Sequence, residues 1–139
     1  LTEEPPVGEE AQADTNLGVD EILLRRIPRN SWTPDGAGGT RPASGSFKPR
    51  SGGEPLSVYR EAVMTKLGLA ADAVLDGHPG WGFVAFPAGL AIDCGLTVTA
   101  DPDAADEIKG AAHALMRGRF NDTVLRRLAR ECDIRQGPA

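Results

Sequence analysis

"GGTRPASGSFKPRSGGEPLSVYREAVMTKLGL", residues 38–69, is the stretch on which the architecture of this chain turns. Its first half has the glycine and proline of a linker. Yet between Gly38 and Glu61 three arginines, one lysine and four serines surround Phe47 and Tyr59. Its second half reads as a helix over 58–67. Ser57 stands as an N-cap, and Val58, Tyr59, Ala62, Val63 and Leu67 share one face at helical spacing. Gly68 occupies the position where a left-handed residue ends a helix, with Leu69 placed for the accompanying apolar contact.

Upstream, residues 28–55 hold five prolines and six glycines and no periodicity. Structureless loops beyond ~12–15 residues are uncommon in compact domains unless functional or disordered. Trp32 and Phe47 point to contact with a core. The segment is therefore expected to be ordered, folded over the start of the 58–67 helix, with Arg41, Ser44 and Ser57 around an anionic group.

Outward from there, "EILLRRIP" is a short apolar run closed by Pro28 and predicts a first strand. "AADAVLDG" predicts a short helix. "GFVAF" predicts a strand over Gly82–Phe86, "AGLAIDCG" a short helix stopped by Gly95, and "LTVTA" and "AHALMRG" further strands. "NDTVLRRLAREC" predicts a helix capped by Asn121, with Phe120 and Leu125 as a hydrophobic staple. Strands and helices alternate without a regular βαβ rhythm, so the expected class is α+β: one small domain with short strands and about four helices. Val58, Val63, Leu67, Val84, Phe86, Leu90, Leu115, Leu125 and Leu128 are expected to be buried together.

Charge divides the chain. The net formal charge is −5. Residues 1–21 carry seven carboxylates and no Lys or Arg, which leaves 15 basic against 13 acidic side chains in the rest. That acidic stretch offers little to bury and is expected to be a flexible tail, with the domain over 22–135 and a frayed end at 136–139. No apolar run approaches the ~20 residues of a membrane span, and the acidic start is unlike a signal peptide. A cytoplasmic location is the expectation. Cys94 and Cys132 lack metal-ligand spacing; they read as two reduced thiols, and whether they pair is left open. "DPDAADE" lacks the glycine and closing glutamate of a calcium loop. No Walker or Gly-x-Gly-x-x-Gly motif is present, so neither metal nor cofactor is expected.

The candidate site is a cluster of Arg and Ser. Arg25 and Arg26 end the first strand, and Arg41, Ser44, Ser46, Lys48 and Arg50 follow in the irregular segment. Ser57 and Tyr59 then open the helix. Guanidinium forks, hydroxyls and a helix N-terminus are what an anion needs for charge-assisted hydrogen bonds. His113 lies on a short apolar strand, where an imidazole serves as a packed core group or a general base. His113, Arg26 and Ser46 are the catalytic candidates; Arg41, Ser44, Ser57 and Tyr59 are the ligand-binding ones. The arginines of the 121–132 helix read as a solvated face, and the acidic overall balance with few aromatics argues against a nucleic-acid partner.

Through Arg41, Pro42, Ser44, Phe47, Leu56, Ser57, Val58, Tyr59, His113 and Ala114, the chain resembles a small, uncharacterised bacterial family with an Arg-Pro-x-Ser-x-x-Phe segment, a Leu-Ser-Val-Tyr element and a later His-Ala strand. The resemblance covers roughly residues 22–131 and implies a whole domain without an activity. A weaker likeness is to ADP-ribosyltransferase and RES-type NAD-consuming domains, with Arg25 or Arg26, Ser46 with Phe47, and Tyr59 with Glu61 in the matching order. The chain lacks their Gly-Gly-Arg-Trp-like turn and their late catalytic glutamate. Two functions follow as expectations: an accessory domain that binds a partner protein or a phosphate-containing or other anionic small ligand, or a small nucleotide-acting enzyme, NAD-consuming as the weaker likeness implies.

Overall fold

The computed structural model describes residues 16–51, 53–102 and 110–139. At its centre lies an antiparallel sheet of six strands. These are β1 (Ile22–Ile27), β4 (Leu56–Arg60), β5 (Gly82–Pro87), β6 (Thr97–Ala100), β7 (His113–Arg117) and β8 (Asp133–Gln136), in the order β6-β7-β4-β1-β5-β8. A separate hairpin pairs β2 (Trp32–Pro34) with β3 (Thr40–Pro42). Three α-helices complete the described residues: α1 (Glu61–Lys66), α2 (Ala88–Asp93) and α3 (Asp122–Glu131). The class is α+β in one small domain. The expected fourth helix, over 71–75, is a 3-10 turn.

The largest correction falls on the predicted 58–67 helix, whose first three residues, Val58 to Arg60, belong to β4. Leu56 and Val58 enter the core on one side of the sheet, and Tyr59 enters on the other. Successive side chains of a strand point to opposite faces, and β4, lying between β1 and β7, is covered on both. Helical spacing in the sequence cannot be told from such a doubly covered strand. The chain becomes helical only at Glu61, and Gly68, at φ 77°, ends that helix as expected. Ser57 is therefore a strand residue and caps nothing.

Both faces are covered. On one, Leu23, Ile27, Val58, Val84 and Phe86 pack beneath α2, α3 and the 3-10 turn Ser44–Phe47. On the other, Leu24, Tyr59, Phe83 and Ala85 meet Met64 of α1 and Val74 of the 71–75 turn. The predicted single core thus divides. Val58, Val84, Phe86, Leu90, Leu125 and Leu128 share the first cluster, while Val63 packs against the second. Leu115 is half-buried, and Leu67 is 48% exposed. Asn121 caps α3 by accepting from the Val124 amide at 2.9 Å, and Phe120, partly buried, packs against the cluster that holds Leu125.

Both predicted chain ends move. Leu17 is buried, and its amide donates to the Val98 carbonyl at 3.0 Å. Glu21 holds Arg60 through two hydrogen bonds of 2.7 and 3.2 Å. Residues 16–21 therefore belong to the domain, and of the expected tail residues 1–15 lie outside the described residues. The predicted frayed end begins within β8, which pairs with β5, and Arg135 reaches Glu61 at 3.0 Å. Most of the acidic "DPDAADE" stretch, from 103 on, lies outside the described residues.

Candidate anion-binding cleft

The irregular segment is ordered by its own side chains. Asp35 Oδ1 accepts the amides of Ala37 and Gly39 at 2.7 and 3.0 Å, turning β2 into β3. These bonds hold the Asp35 carboxyl below its ordinary range. Gly36 and Gly38 supply the positive φ that the turn requires. Phe47 is fully buried, edge-on to Phe86 with ring centroids 6.1 Å apart.

Arg25 ties the segment to the sheet. Its Nε and Nη2 donate to the Ser46 carbonyl at 3.2 and 3.0 Å, and Nη1 donates to the Ser57 carbonyl at 2.9 Å. Burial, and then the neighbouring charge of Arg26, lowers the Arg25 pKa to about 10, so it is a cation at neutral pH. Three of its five N–H donors are engaged, leaving two.

Around this anchor opens a cleft of about 530 Å³, lined by Arg25, Arg26, Lys48, Arg50, Ser57 and Trp81, together with prolines and Glu54. Arg26 Nη1 donates weakly to the Val74 carbonyl at 3.4 Å, and its guanidinium lies 5.3 Å from the centre of the Tyr59 ring. Among the described residues, no carboxylate pairs with Arg25, Arg26, Lys48 or Arg50. Other arginines do have such partners: Arg60 with Glu21, Arg127 with Asp93 and Glu131, and Arg135 with Glu61 and Asp133.

The predicted residues are only partly brought together. Arg26 and Ser57 line the cleft. Arg41 does not: it borders a different hollow of about 480 Å³ with Asp35, Arg126 and Arg130. Ser44 lines neither. Ser46 is buried, and its hydroxyl donates to the Ser31 carbonyl at 3.0 Å, which makes it a brace rather than a nucleophile. Tyr59 lies inside the second cluster, edge-on to His113 with centroids 5.7 Å apart. His113 Nδ1 sits 2.9 Å from the Asp101 carbonyl and 3.0 Å from its carboxylate.

Trp81 is the lining residue that sequence reading passed over. It follows the "DGHPG" turn, whose His78 ring lies 4.5 Å from the indole. Cys94 and Cys132 are free and half-buried, and burial raises both thiol pKa values, Cys132 to about 11. No group of three or more metal-ligating side chains occurs among the described residues, and no helix there is long and apolar enough to cross a membrane. Set against family models, curated proteins and solved structures, the chain matches none of them.

Proposed function

We propose that this domain is an anion-binding module whose cleft beside the Ser57 end of β4 takes a phosphate-type group, free or carried on a partner. What carries this reading is the concentration of Arg25, Arg26, Lys48 and Arg50 around one hollow, with Glu54 the one carboxylate among its described lining residues. Like charges gathered around one hollow repel one another, and an anion relieves that repulsion. Arg25 is immobilised by backbone carbonyls, so its charge is in place before any ligand arrives. Such preorganisation spares the ordering cost of binding.

The test is calorimetric titration with pyrophosphate. Wild type binds, and affinity falls as salt rises. Arg26→Ala with Lys48→Ala abolishes binding while leaving the thermal melt near wild type. Absence of pyrophosphate binding by wild type refutes the reading. The enzymatic alternative draws on the Asp101–His113–Tyr59–Arg26 series, since a carboxylate on Nδ1 orients an imidazole for proton transfer. Nicotinamide release from NAD that vanishes in His113→Ala would replace the binding reading with that one.

A further inference from the structure

The cleft has a neighbour. A second hollow of about 460 Å³ is lined by Lys48, Pro49, Arg50, Ser51, Gly53, Gly118, Arg119 and Phe120. Lys48, Pro49 and Arg50 border both hollows. Pro49 disfavours helical backbone at the residue before it, and Lys48 is extended, at φ −86° and ψ 129°. The shared rim is thus cationic at both of its ends. Arg119 extends the charge beyond it and has no carboxylate partner among the described residues. Gly118 takes φ 142°, a backbone conformation that residues with a side chain rarely adopt.

Cationic residues therefore border both hollows: Arg25 and Arg26 the first, Lys48 and Arg50 the rim they share, and Arg119 the second. A single phosphate reaches one hollow only, whereas a linear polyanion reaches both. Base-bearing strands need open aromatic faces on which to stack. Here the Trp81 ring has His78 against it, and Phe120 is partly buried against the core. A chain of bare phosphates needs only the cations. We propose that the two hollows together hold one linear oligophosphate chain, running from Arg26 and Ser57 across Lys48 and Arg50 to Arg119. This rests on the anion-binding reading of the first hollow and adds the second hollow and the length of the ligand.

Calorimetry with orthophosphate, tripolyphosphate and longer inorganic polyphosphate on the full chain tests it. Affinity per chain rises with length. Arg119→Ala lowers polyphosphate affinity about tenfold or more, the loss of one hydrogen-bonded charge, and leaves orthophosphate affinity unchanged. Arg119→Lys, which keeps the charge, retains most of the polyphosphate affinity and controls for folding. Equal affinity at every chain length, or an Arg119→Ala loss that is the same for orthophosphate, overturns the proposal while the single-anion reading stands. A single-stranded oligonucleotide that binds more tightly than polyphosphate of equal charge overturns it in favour of nucleic acid. No binding of any phosphate overturns both.

Discussion

Replacing Phe47 by alanine separates an ordered segment from a linker. The side chain has no exposed surface and meets Phe86 edge-on, with rings at 74° and centroids 6.1 Å apart. A phenylalanine buries ~150–250 Å², which at about 25 cal/mol per Å² corresponds to a gross ~4–6 kcal/mol. Alanine keeps part of this and the site relaxes in part, so Phe→Ala changes cost ~3–5 kcal/mol. Domains have ~5–15 kcal/mol in total, so Phe47→Ala should stay folded but weakened, and Phe47→Leu should lose less. Urea unfolding followed by far-UV circular dichroism reads the effect as a lower midpoint at an unchanged slope. Because the Ser46 carbonyl next to Phe47 anchors Arg25, the same variant should also weaken pyrophosphate binding. A stability loss below about 0.5 kcal/mol, the range of ordinary surface substitutions, would refute the assignment of Phe47 to the core.

Asn121→Ala removes the cap on the Val124 amide and should cost ~0.5–2 kcal/mol by thermal melting, with Asn121→Ser restoring most of it. Cys132 has its pKa raised to about 11 by burial, so at pH 8 its thiolate fraction is on the order of one in a thousand. Iodoacetamide should label it slowly in the folded protein, faster as the pH nears 11, and rapidly in urea; fast native labelling at pH 8 would contradict its burial. Deleting residues 1–15 removes five carboxylates and should make the protein elute from heparin at higher salt, while deleting residues 1–21 should also lower the melting temperature, because Leu17 and the Glu21–Arg60 pair are lost. Equal elution of the shorter deletion and the full chain would mean that the acidic stretch does not shield the cations.

Much of the element map follows from local rules that need no tertiary partner. The Asn121 cap, the left-handed Gly68 and Gly95, and the β-branched and aromatic run at Gly82–Phe86 are short-range signals, and the structure realises each of them. The mixed α+β class and the order of Phe47 were legible for the same reason: a large aromatic in a glycine-rich segment has few places to go except a core. What the sequence did not contain was which segments pair. Val58, Tyr59, Ala62 and Val63 are compatible with a helix face, and only insertion between β1 and β7 makes the first two part of a strand covered on both sides. "DIRQ" carries almost no apolar signal, and β5 alone makes it a strand. The site follows the same division. Its chemistry was visible as a surplus of Arg, Lys and Ser, but its membership was set by long-range contacts. Arg25 to Ser46 and Ser57 gathers Arg26, Lys48 and Arg50 around one hollow, while β3 carries Arg41 toward Arg126 and Arg130. Residue type decides what a group can bind; sheet pairing, which is non-local, decides which groups can bind together.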